Sequence, residues 1–194
     1  MRQIICILFS SIIIAFSAFA QAPYQIKSAK IEFVSYPGYG VRSTKTLIFT
    51  DSGKIQKIIY NMYADTSANN LLPDSLPKTK DNFSIISILV NDTIYSFNLN
   101  FMTGTKNSKN DMPNLPMDKV VITSDTFFNR ICEVHEIYGL KAWYWKGIAL
   151  KSGFSKDNGI FEYATSIDEN YIIKEDEFKF PDNIEMKDKM DFIP

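Results

Sequence analysis

The sequence predicts an antiparallel, mainly β protein. Three observations predict it. Turn signals recur at short intervals, apolar residues alternate with period two between them, and helical periodicity is nearly absent. Several of the expected strands also carry large apolar residues on both faces, a pattern that a sheet wet on one side does not show.

The first twenty residues stand apart from that fold. Arg2 supplies a positive start, Ile4 to Phe16 is an almost unbroken apolar run, and Ala18-Phe19-Ala20 has the small-x-small form of a cleavage site. Residues 1–20 therefore read as a signal peptide, with Gln21 opening the mature chain, and the protein as periplasmic or secreted. Residues 21–194 read as a single β-rich domain, of a size that buries roughly 70% of its unfolded surface.

Within that domain Tyr24 to Tyr36 reads as a strand, closed by the turn cluster Pro37-Gly38-Tyr39-Gly40. Val41 to Thr50 is the second strand, with Val41, Leu47 and Phe49 on one face and Arg42, Thr44, Thr46 and Thr50 on the other. After Asp51-Ser52-Gly53-Lys54, Ile55 to Tyr63 completes a meander. Residues 65–81, rich in Asn, Ser, Pro and Asp, read as a loop. Phe83 to Val90 and Thr93 to Leu99 flank the two-residue connection Asn91-Asp92. Thr103 to Pro116, the most polar stretch, reads as a mobile loop at the rim of the fold.

Ser124-Asp125-Thr126 has the composition of a helix cap and predicts a very short helix through Phe128. Ile131 to Tyr138 returns to strand, Gly139 turns the chain, and Lys141 to Lys151 answers with both tryptophans of the protein. Phe161 to Ser166 and Tyr171 to Lys174 read as the last strands. Pro181 bars a central strand from the acidic tail.

Composition excludes several function classes. Net charge is −1 with the signs interspersed, which argues against a dedicated nucleic-acid surface. Past residue 20 only Cys132 remains, so no internal disulfide is expected there and Cys132 reads as a small buried hydrophobe. The single histidine, His135, shares a strand face with Glu133, while Cys132 points the other way. One His and one Cys out of phase do not make a zinc site, and no oxygen-rich run has the spacing of a calcium loop. No nucleophile elbow or triad pattern accompanies His135, and no phosphate-binding loop is present. No catalytic residue, metal or cofactor is therefore expected, and the chain reads as a non-enzyme.

The doubly apolar strands are the informative feature. Ile58, Ile59, Tyr60 and Met62 form one such run, and Ile85, Ile86, Ile88 and Leu89 another. Along the tryptophan strand, Trp143 and Trp145 fall on one face, and Ala142, Tyr144, Ile148 and Leu150 on the other. Such strands need cover on both sides, from short helices and loops, from the sheet curling on itself, or from a ligand in an apolar cavity. The candidate ligand-binding residues are Trp143, Trp145, Tyr144, Ile148, Tyr60, Met62, Ile86 and Ile88.

Four segments together carry a resemblance. They are Cys132-Glu133-Val134-His135-Glu136, Lys141 through Ser152, Glu162-Tyr163-Ala164-Thr165-Ser166-Ile167 and Phe178-Lys179-Phe180-Pro181-Asp182-Asn183-Ile184. With Lys27 to Phe33 and Lys45 to Lys54, they resemble an uncharacterised family of exported bacterial proteins, itself similar to the lipoprotein-carrier (LolA/LolB-like) fold. The resemblance implies one strongly curved antiparallel sheet, a half-open barrel whose concave side holds acyl chains in the carriers. The carriers plug that concavity with helices. Here, with one or two short helices at most, it is expected to be shallow or filled by side chains. The expected function is periplasmic binding of a lipid or other apolar small molecule, without nucleic acid and with at most transient membrane contact. The rival expectation is an envelope module that docks a partner protein.

Overall fold

The computed structural model describes residues 24–38, 41–64, 83–109, 120–137, 139–156 and 159–187. The expected signal peptide and the 65–81 loop lie outside them. Twelve strands form one open sheet: β1 (Ala29–Gly38), β2 (Val41–Thr50), β3 (Ile55–Ala64), β4 (Phe83–Val90), β5 (Thr93–Asn98), β6 (Thr103–Ser108), β7 (Val120–Phe127), β8 (Arg130–Ile137), β9 (Leu140–Trp145), β10 (Ile148–Phe154), β11 (Ile160–Asp168) and β12 (Glu185–Lys187). Their order is β12-β6-β5-β4-β3-β2-β1-β11-β10-β9-β8-β7. Two meanders, β1–β6 and β7–β11, are thus zipped along β1 and β11, from Lys30 opposite Asp168 to Ser35 opposite Glu162. Every pairing is antiparallel except the short parallel one of β12 on β6.

The hairpins follow from local chemistry. Asn91-Asp92, Phe128-Asn129 and Lys146-Gly147 are two-residue connections with φ between 49° and 83° at both central positions. That backbone matches the right-handed twist of the strands it joins. At the β2–β3 turn, Gly53 has φ of 89°, and a Cβ there would lie 2.6 Å from the Tyr24 ring. Only glycine satisfies both constraints.

Several local expectations are corrected. Ser124-Asp125-Thr126 does not cap a helix but runs extended in β7. The Asp125 carboxylate accepts from the Trp143 indole at 2.8 Å and from the Thr126 N–H at 2.7 Å, so the cap chemistry serves the sheet instead. Among the described residues helical structure is confined to the single turn Asp51–Gly53 and to Lys109. Thr103 to Ser108 is not loop but β6, held by ladders to β5 and β12 that do not depend on apolar side chains. Tyr171 to Lys174 is not a strand; the Tyr171 hydroxyl instead donates to Glu177 at 2.6 Å, and that bond pushes the phenol up to about 12.

Register sorts the side chains onto two faces. Ile31, Phe33, Leu47, Ile58 and Tyr60 lie on the face we call inner, and Ile48, Ile86, Ile88 and Phe97 on the outer. On a flat sheet Tyr60 of β3 and Tyr144 of β9, five strand steps apart, would stand roughly 24 Å from each other. Instead both line one small cavity, so the sheet bends toward its inner face. The segment before β1 bridges the bend. The Tyr24 N–H donates to the Ser52 carbonyl at the β2–β3 turn (2.9 Å), and the Gln25 N–H to the Lys146 carbonyl at the β9–β10 turn (3.0 Å).

Residues 169–187 return across the outer face as a strap. Lys57 donates to the Glu177 carbonyl at 2.7 Å, and the Phe180 ring lies 4.6 Å from Tyr95 and 5.3 Å from Phe97. Gly104 leaves room for Ile184 and Met186, whose atoms would meet a Cβ there at 3.0 and 2.6 Å. Beneath the strap Ile88 and Phe97 are buried.

Candidate functional site

The inner face gathers a largely buried ion pair and the hydroxyls that bond to it. Phe33 and Ser35 come from β1, Ser43, Lys45 and Leu47 from β2, Ile58 and Tyr60 from β3, and Glu162 from β11. Alternation aims them all inward, because directly opposed residues of a ladder share a face. Across the bend, Tyr144, Ala149 and Ser152 complete the wall, and Tyr24 closes one end. The cavity that these residues other than Ser35 and Ser43 line is about 50 Å³. That is well below the roughly 300 Å³ at which ligand pockets begin, so the cavity does not hold an acyl chain.

Its polar centre is an ion pair between Lys45 and Glu162, whose side chains are only 12% and 14% exposed. The Lys45 ammonium also lies 4.0 Å from the centre of the Phe33 ring. Ser35 and Ser43 share a hydrogen bond of 2.9 Å, and Ser35 Oγ donates to Glu162 at 3.4 Å. A buried charge pair satisfied in this way persists, whereas removing one partner strands the other at a cost of about 3–5 kcal/mol. Burial raises the Tyr24 and Tyr144 hydroxyls well above the ordinary phenol range. Tyr24 Oη donates to Gln56 Oε1 at 3.2 Å.

The eight candidate residues divide between the two faces. Tyr60 and Tyr144 line the cavity. Ile148 lines it too, although it stands opposite Trp145 in the ladder, because the register shift around Leu150 turns β10 at that point. Met62 follows Tyr60 on the same face, opposite Ser43 and Phe83. Ile86 and Ile88 lie on the outer face, where Ile88 is sealed and Ile86 stands opposite Phe97. Trp143 and Trp145 are outer as well. Lys151 covers Trp143, its ammonium 4.1 Å from the indole centre, and Arg130 and Lys146 each lie 4.7 Å from that of Trp145.

Lys45, Glu162, Phe33 and Tyr24 escape a reading based on apolar runs. For Lys45 there is a signal, since it shares the alternation phase of Leu47 and Phe49 and so sets a charge on an apolar face. Glu162 has no such signal, because only the β1–β11 ladder brings it to Lys45.

His135 stands on the inner face, edge-on to Tyr144 with ring centres 4.9 Å apart, and its Nε2 is 3.2 Å from Glu133. Cys132 is fully buried on the other face, and burial pushes its thiol up. Among the described residues no group of three or more His, Cys, Asp or Glu side chains gathers as a metal site would.

No family model matches the chain, and no curated protein matches it. A solved structure described as an uncharacterized conserved protein from Thermus thermophilus is similar in fold. It has a TM-score of 0.55 over 85% of this chain and 92% of that one, at 7% sequence identity. At that identity the likeness speaks for the fold alone.

Proposed function

We propose that this chain is a non-enzymatic binding protein of the bacterial cell envelope, exported by its first twenty residues. Its inner face, bent in the manner of the lipoprotein carriers, receives a lipid-like or other apolar ligand. One observation supports this reading above the others. Past the packed cavity the same face continues through Met62, Phe83, Ile85, Leu89 and Ile94, apolar side chains that are only partly buried. A ligand would lie along those residues, with the cavity as the closed end of its path, because the cavity itself is too small for it.

Native mass spectrometry of protein purified from the periplasm tests the reading. A lipid-like mass should accompany the wild-type protein and disappear from a folded Ile85→Glu variant, which places a charge in the path. A ligand-free spectrum with no lipid in an organic extract would overturn it.

A second reading, docking of a partner protein, draws on the β7 edge. Among the described residues this eight-residue strand pairs only with β8, and Val121 is 52% and Ile122 45% exposed. Edges of this kind add strands from partners. A photocrosslinker at Val121 should give one dominant adduct in intact cells, and an unchanged monomer band would sink the idea.

A further inference from the structure

We infer that the outer end of the β7–β8 and β9–β10 hairpins is a binding cleft for a small oxyanion, carboxylate or phosphate, that carries a flat apolar group. The cleft is independent of the inner face. It measures about 690 Å³, is open to solvent, and is lined by Phe128, Asn129, Arg130, Trp145, Lys146 and Glu169.

The local backbone explains why these groups converge. Phe128, Asn129 and Lys146 occupy two-residue turns at φ of 56°, 56° and 49°, so the two hairpin tips present their side chains from fixed positions. Trp145 then acts as a platform. It is itself buried, and the Arg130 guanidinium and the Lys146 ammonium both rest against its indole. Two cations are thereby held against one ring at the mouth of a cleft, an arrangement that an anion stabilises.

Glu169 is that anion in part. It accepts from Arg130 at 2.8 Å but lies 3.7 Å from Lys146, beyond hydrogen-bond reach. Arg130 spends a second donor on the Phe128 carbonyl at 2.8 Å and holds further N–H groups in its fork. The Lys146 side chain is 41% exposed and its ammonium brings three donors. Donors therefore outnumber the one carboxylate, and an entering oxyanion completes the charge balance. Phe128, 42% exposed at the rim, supplies the apolar wall. Trp145 does not, since its cations already cover it. The flat group of the ligand is thus assigned to Phe128, and the oxyanion to Lys146 and the remaining donors of Arg130.

The test is a titration of the mature protein, followed through the two indole N–H signals in an NMR spectrum. Phenyl phosphate and benzoate are the probes, with inorganic phosphate and benzyl alcohol as their anion-only and ring-only counterparts. The Trp145 signal should shift saturably with at least one of the two probes, while the Trp143 signal, tied to Asp125, stays in place. Inorganic phosphate and benzyl alcohol should each bind at least about tenfold more weakly than that probe. Added salt should weaken binding. Lys146→Asn keeps a residue that tolerates the left-handed turn and should weaken binding at least about fivefold. Glu169→Gln removes the competing carboxylate and should tighten it. A merely structural Glu169 would not produce that tightening.

The inference falls if neither probe gives a saturable shift up to about 10 mM. It also falls if binding persists unchanged in both folded variants, because the probe would then sit elsewhere. Equal binding of inorganic phosphate would overturn the assignment of the flat group to Phe128.

Discussion

The outer face of the sheet solves one problem in two ways. Over β3–β6, the apolar residues Ile88 and Phe97 are sealed by a returning length of chain, residues 169–187, that brings its own aromatic and apolar groups. Over β7–β10, Trp143 and Trp145 are buried mainly beneath charged side chains, and of the strap only Glu169, at its start, reaches the cations there among the described contacts. There the long stems of Lys151, Arg130 and Lys146 lie across the indoles, and Asp125 takes the Trp143 N–H. Cover by chain excludes water through the aromatic and apolar groups that the strap carries. Cover by charged side chains leaves cations at the surface, held in place by the rings beneath them.

Removing the strap should break this contrast most severely. Truncation after Asp168 exposes Ile88 and Phe97 together and removes β12, so a loss of about 5 kcal/mol or more is expected from the apolar area alone. Urea unfolding and dye binding to exposed apolar surface would measure it, and an unchanged midpoint would show that the strap seals nothing. Trp145→Ala comes next. It should cost about 3–5 kcal/mol, as for other large aromatic truncations, and should release Arg130 and Lys146 from their shared platform. Thermal unfolding reads the first effect, and the loss of probe binding in the cleft reads the second.

A smaller change sharpens the strap side. Phe180→Ala keeps the backbone of the strap but loses the ring contacts to Tyr95 and Phe97, for about 1 kcal/mol. A cost as large as that of truncation would mean that one ring, rather than the whole segment, holds the strap. The smallest effect concerns Asp125. The Trp143 indole and then the Thr126 N–H hold its carboxyl below the ordinary value of 3.8. A depressed folded pKa gives stability that is fully present above that ordinary value and is lost as pH falls through the folded one. The stability difference between wild type and Asp125→Asn should therefore shrink on acidification, and a difference that stays constant with pH would show that the charge is not what binds the indole.

Most strand positions were legible in the residues. Val41–Thr50 reads from alternation and Phe83–Val90 from its apolar run as they stand in the structure, and the Asn91-Asp92 hairpin reads from its turn chemistry. The misses share a cause. Thr103–Ser108 has almost no apolar content, and its strand character comes from ladders on both sides, which no local pattern encodes. Ser124-Asp125-Thr126 carries genuine cap chemistry, but the groups that claim Asp125 include an indole on another strand. The site was half legible for the same reason. Tyr60 and Tyr144 could be found as large residues in doubly apolar strands, whereas the partnership of Lys45 with Glu162 depends on a ladder between the first and the eleventh strands.

The residues alone determined the mainly β class, most of the turns, and the fact that Trp143 and Trp145 share a face, because period-two alternation and turn preferences act within a few bonds. They did not determine which face that is, that the two meanders join along β1 and β11, or that the sheet bends until Tyr60 and Tyr144 line one cavity. Those features come from pairings across more than a hundred residues of chain, and only the assembled sheet places them.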